Sequence, residues 1–249
     1  MAKNDKKAAT ARSAAVEILQ QVLGEGAYTN IAVNKYLRNH ELSDMDRRLM
    51  TELVYGTVKA VGTIDWYLQQ CVTRPLDKID KLVLSILRIS VYQLLYMDKI
   101  PASAACNEAV NLARLFSHEG TAKFVNGVLR GLLRKKDSFT FPDAEKETAD
   151  YISLAMYHPR WLVKKWLKNY GRAETEALCA FDNTPAPVCL RVNTLVTTRE
   201  KLMAKLTEAG GEVRASKWSA DGIVCEKLPA LSTVFAGMHN EFYVQDESS

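Results

Sequence analysis

The side chains that this sequence offers in groups are cations. Lys3, Lys6, Lys7 and Arg12 open the chain. Arg130, Arg134, Lys135 and Lys136 end a helical stretch, and Arg160, Lys164, Lys165 and Lys168 recur around Trp161 and Trp166. Grouped Lys and Arg neutralise phosphates, and an adjacent indole gives an unpaired base a surface to stack on. The chemistry indicated is RNA binding rather than bond making. Each cluster taken alone also fits a solvated face, and the cations at 130–136 suit the dipole of a helix end.

The residue types of catalysis do not assemble. The four histidines, His40, His118, His158 and His239, are far apart and have no metal-ligand spacing, so no metal site is expected. His158, next to Pro159 and near Trp161, reads as a packed or capping histidine rather than a base. There is no GxSxG, no GxGxxG and no GxxxxGK[ST], hence no visible nucleophile elbow, dinucleotide loop or phosphate loop. The five cysteines, Cys71, Cys106, Cys179, Cys189 and Cys225, are scattered, odd in number and without a CxxC pair. That argues against a disulfide framework and a zinc site and for a reducing cytoplasm, with the thiols buried as small hydrophobes. No run of about 18 apolar residues exists, and MAKNDKKAATARSAA has no apolar segment behind its charges. Neither a membrane span nor a secretory signal is expected.

The charge is uneven. Up to Phe141 there are 20 Lys+Arg against 14 Asp+Glu, and after it 13 against 15, giving the net +4. A basic first part is compatible with nucleic acid, and equally with an ordinary solvated surface.

The elements that must carry these groups begin with Asp44–Lys59, DMDRRLMTELVYGTVK. Leu49, Leu53 and Thr57 repeat every fourth residue, shadowed by Met50, Val54 and Val58, which gives a helix one broad apolar stripe. Ser43 and the acids after it fit a helix start. Gly56 costs about 1 kcal/mol against Ala within such a run, and is expected where a neighbour comes close. Helices are further expected over Ala11–Leu23 with Gly24 as its stop, Tyr28–Leu37, Ile64–Val72, Ile79–Met97, from Ser103 as cap to Phe116, and Glu119–Lys136. Asp137–Glu147 reads as a linker. Helices over Thr148–Tyr157, Pro159–Tyr170 and Arg172–Phe181 follow. Then come a strand at Val188–Val192, a helix at Arg199–Ala209, and strands at Glu212–Ala215, Gly222–Glu226 and Glu241–Asp246, a small α+β unit. The fold class is mainly α: an all-α bundle, a helical linker, then an α+β subdomain.

Those segments carry a family resemblance. RSAAVEILQQVL, DRRLMTELVYGTVK, and NEAVNLARLF followed by KFVNGVLRGLLR resemble the NusB-like helical RNA-binding domain. HPRWLVKKWLKNYG (His158–Gly171), LRVNT (Leu190–Thr194) and VQDESS (Val244–Ser249) look like the lead-in to bacterial 16S rRNA cytosine-C5 methyltransferases of the Sun/Fmu type. The resemblance implies a NusB-like domain over residues 1–138 and, over 148–249, the subdomain that precedes an S-adenosylmethionine-binding domain. It places the glycine-rich cofactor loop, the acid on the ribose and two catalytic cysteines, in Pro-Cys and Thr-Cys settings, beyond Ser249. No such dipeptide occurs here, so no cysteine of this chain inherits a catalytic role and no residue a cofactor-binding one. The chain by itself is expected to bind 16S rRNA and to be inactive as a methyltransferase. The RNA-contacting candidates are Lys6, Lys7, Arg12, Arg130, Arg134, Lys135, Lys164, Lys165 and Arg191. Lys59 stands where the family motif commonly ends in arginine, which keeps the charge but not the planar bidentate fork. The resemblance further implies a cytoplasmic protein, expected to be a monomer. The competing readings are a non-enzymatic antitermination factor of the same helical fold, which would need no Val188–Ser249 tail, and a protein-interaction domain without RNA function.

Overall fold

The Ser43 hydroxyl accepts the Asp46 amide at 3.1 Å and starts helix α3, Asp44–Lys59, with Asp44 and Asp46 in its first turn. It buries Met50, Leu53, Val54 and Thr57, the stripe its spacing implies. A computed structural model of the chain describes residues 10–228, 237–238 and 240–247. The chain divides into two compact units, Met1–Phe181 and Asp182–Ser249.

In the first unit α3 packs on α1, Ala11–Leu19, and α5, Lys81–Tyr96. Helix α5 is the middle of the bundle, with every residue from Val83 to Gln93 except Arg88 buried. Arg88 reaches Asp65 with two hydrogen bonds of 2.8 and 2.7 Å, so even the polar position on this helix is tied inward. Around them stand α2, Thr29–Asn39, α4, Val61–Gln69, α6, Ala102–Phe116, and α7, Glu119–Lys135. One apolar core runs through all seven.

Three local expectations change. The first helix ends in a wide π turn, Gln20–Gly24, and the left-handed glycine is Gly26 at φ 80°, not Gly24. Lys81 Nζ takes the Gly24 carbonyl at 2.9 Å, so that end is satisfied from another helix. Helix α6 begins one residue before Ser103, behind Pro101, with no side-chain cap. Proline's fixed φ already suits a helix start. The segment 137–147 is pinned, because Phe139 and Phe141 set their rings against Trp66 and Tyr67 of α4.

Helix α8, Thr148–Ala155, packs on α4, where the Thr63 hydroxyl donates to the Leu154 carbonyl at 2.7 Å. Helix α9, Arg160–Asp182, is broken at Gly171, whose φ of 77° and ψ of −179° separate the two helices that the sequence implies. Ile152, Val163 and Cys179 close a small satellite core there.

The second unit runs β1 (Val188–Val192), α10 (Arg199–Glu208), β2 (Glu212–Ala215), β3 (Gly222–Lys227), β4 (Phe242–Val244). The sheet order is β2-β3-β1-β4, with neighbouring strands antiparallel. Leu202 and Leu206 of α10 cover one face, over Leu190, Val192, Ile223 and Cys225.

Candidate nucleic-acid interface

Helix α7 is the best-formed cationic element. His118 caps it by accepting the Thr121 amide at 3.4 Å, and Ala122, Val125, Val128, Leu129 and Leu132 are its buried face. The 3.6-residue period then turns Lys123, Arg130 and Arg134 to solvent, and Lys135 follows in the last turn. Among the described residues the side chains of Arg130, Arg134 and Lys135 form no salt bridge. They differ in this from Arg114, which Glu119 holds at 2.8 Å from α7's first turn. An unneutralised cation needs no internal partner displaced before it meets a phosphate. The same charges reach inward: Arg130 favours the thiolate of Cys106 and Lys135 that of Cys71, yet burial dominates and pushes both thiols up.

The other candidates divide. Arg12 is half-buried and donates from Nε to Gln93 Oε1 at 2.7 Å, while Gln93 itself is fully enclosed and donates to the Ile89 carbonyl at 3.0 Å. Arg12 thus ties α1 to α5. Lys6 and Lys7 lie outside the described residues, as do Lys3 and His239. In the cluster around the tryptophans, Asp150 engages Arg160 through both of its oxygens, and the pairing holds the Asp150 carboxyl below its usual range. Lys164 and Lys165 remain exposed on α9. Trp161 is 68% exposed, whereas Trp166 packs into the satellite core beside the His158 ring at 5.5 Å. His158 Nδ1 faces the Met156 carbonyl at 2.5 Å, the packed histidine that its neighbours imply. Arg191 is exposed on β1 in the second unit.

Burial raises the thiols of Cys71, Cys106 and Cys189, and that of Cys225 to about 11. No group of three or more His, Cys, Asp or Glu among the described residues is placed to hold a metal, and no helix there is long and apolar enough to cross a membrane. Among the described residues, the strand-to-helix connection of the second unit does not fit S-adenosylmethionine. A dinucleotide-type site sets glycines between a strand and the following helix, and the β1–α10 connection, Asn193–Thr198, contains none.

Residues 9–134 match the NusB family, and residues 158–231 match the Methyltr_RsmF/B-like, ferredoxin-like domain. A relative in Bacillus subtilis (strain 168), named "Probable ribosomal RNA small subunit methyltransferase B", is 36% identical over 98% of this chain and 54% of its own length. A relative of the same name in Synechocystis sp. is 38% identical over 80% of this chain and 44% of its own. The chain spans about half the length of the curated relatives it matches. Among solved structures, "Crystal Structure of PH0851" has the same fold over 97% of this chain and 54% of that one, with a TM-score of 0.68 at 20% identity. The chain belongs to the NusB family, carries an RsmF/B-like ferredoxin-like domain after it, and matches across both the proteins named ribosomal RNA small subunit methyltransferase B.

Proposed function

We propose that this chain is the rRNA-recognition portion of an S-adenosylmethionine-dependent 16S rRNA cytosine-C5 methyltransferase, binding rRNA and positioning it for methylation. The observation that carries the reading is the cationic end of α7, where Arg130, Arg134 and Lys135 have no ion-pair partner among the described residues of a NusB-family bundle. Phosphate neutralisation by such groups supplies sequence-independent affinity and sets register. Lys164 and Lys165 add a second cationic surface, and Lys6 and Lys7 are proposed to meet phosphate as well, whereas Arg12 is engaged by Gln93. The names of the relatives support the reaction class. On this reading residues 1–138 recognise RNA, and residues 148–249 lead into a catalytic domain that supplies the cofactor site and both cysteines. The chain acts in the cytoplasm, as a monomer, and is inactive by itself.

Calorimetry tests this, with a 16S rRNA helix and S-adenosylmethionine titrated separately into the chain. RNA binding without cofactor binding is the expected pair of results. Cofactor binding by residues 1–249 alone would overturn the assignment of the chemistry to a further domain. A second reading, a non-enzymatic antitermination factor, is favoured by the NusB-family match alone. The residues after 158 that match an RsmF/B-like domain weigh against it.

A further inference from the structure

One face of the second unit's sheet is covered by α10, and alternate residues on β1 and β4 point to the other. The β1–β4 register sets Arg191 directly opposite Tyr243, so the two side chains share that face; both are exposed at its β1–β4 end, while Cys189 and Val224 of the same face are buried. On the other flank Arg191 is paired with Gly222 of β3, which offers no side chain. Tyr243 is 59% exposed. An open cleft of about 430 Å³ lies against both, with Thr194, Leu195, Asp221 and Gln245 on its rim. That volume is within the range of small-molecule sites, about 300–1,000 Å³.

The charge pattern is selective. Arg214 of the same unit is held by Glu226 at 3.1 Å and Glu247 at 3.9 Å, and Arg199 stands 3.5 Å from Glu200. Arg191 has no ion pair or hydrogen bond from its side chain among the described residues. Among the described residues the side chains of Tyr243, Gln245 and Asp221 are likewise without a hydrogen-bond or ion-pair partner. Asn193 is different: its side-chain NH2 donates to the Asn240 carbonyl just before β4 at 2.8 Å, and its side-chain oxygen accepts the Leu195 amide at 3.2 Å.

We propose that this cleft binds one unpaired RNA nucleotide, its base stacked on the Tyr243 ring and its phosphate on the Arg191 guanidinium. The proposal rests on the reading that the chain binds RNA, and adds a site for a single-stranded base to it. An uncovered ring takes the π-face of a base, which a duplex does not offer. Asp221 only accepts hydrogen bonds, so it repels a phosphate and favours a base edge carrying an amino group. Gln245 can donate or accept on that edge.

The test uses the full chain and two fluorescein-labelled probes, a short single-stranded RNA and a blunt-ended RNA duplex, in anisotropy titrations over a salt series. Tyr243→Ala is expected to weaken the single strand about 5- to 100-fold with an unchanged salt slope, the loss of one base stack. Tyr243→Phe retains binding, and neither variant alters the duplex affinity. Arg191→Ala lowers the single-strand slope by about 0.7, and Arg191→Lys restores it. Equal binding by Tyr243→Ala and the parent, or a parent that binds the duplex and not the single strand, overturns the cleft and leaves RNA recognition intact. Failure of the parent to bind either probe overturns both.

Discussion

Tyr92 of α5 occupies the space above Gly56 of α3: a Cβ on Gly56 would stand 2.0 Å from Tyr92 Cζ. The phenol then donates to Glu52 Oε1 at 2.5 Å, one turn earlier on α3, and burial with that bond raises the Tyr92 pKa. Gly56→Ala would gain about 1 kcal/mol of helix propensity and force the ring out of place, at about 1–3 kcal/mol or more. A net loss of stability is expected, read as a lower denaturant midpoint at an unchanged m-value. A more stable variant would mean that Tyr92 does not pack there.

Gly127 is the opposite case. It lies exposed within α7, and a Cβ added to it meets nothing within 4 Å. Gly127→Ala is expected to stabilise the fold by about 0.5–1 kcal/mol, raising the melting temperature. No gain would place Gly127 outside an ordinary helical environment.

Glu17 gives a pH dependence. Burial raises its carboxyl above the ordinary range, with His40 opposing. A folded pKa above the unfolded one means that the unfolded carboxyl ionises first as pH rises. Its contribution is therefore intact below the unfolded value, about 4.3, and is lost as pH climbs through the folded one. Glu17→Gln should be more stable than the parent at pH 7, and that advantage should vanish near pH 4. An equal difference at both pH values would contradict the burial.

Asp150 and Arg160 separate structural from RNA-facing charge. Their bidentate pair joins the first turn of α8 to the start of α9, with Arg160 exposed and Asp150 half-buried. Arg160→Ala is expected to cost no more than about 1 kcal/mol in stability and to leave the salt slope of RNA binding unchanged. A reduced slope would return Arg160 to the RNA-contacting set.

What the sequence made legible follows the range of the interactions. Asp44–Lys59 and Val188–Val192 have the limits their patterns imply, because apolar period and local caps decide them. The break at Gly171 was legible for the same reason. Partners distant in sequence were not. Nothing near Arg12 announces Gln93, nothing near Gly24 announces Lys81, and the partial burial of Trp166 beside an exposed Trp161 depends on how α9 packs. Cation clusters are visible in a sequence, but which cations are already paired is a tertiary fact.

The most direct test of the central claim is the salt dependence of binding to a 16S rRNA helix, for the parent chain and for Arg130→Ala/Arg134→Ala/Lys135→Ala. Three lost phosphate contacts should flatten the slope of log K against log salt by about 2 to 2.7, weakening binding across RNA sequences. A slope unchanged from the parent would remove the end of α7 from the interface and contradict the account.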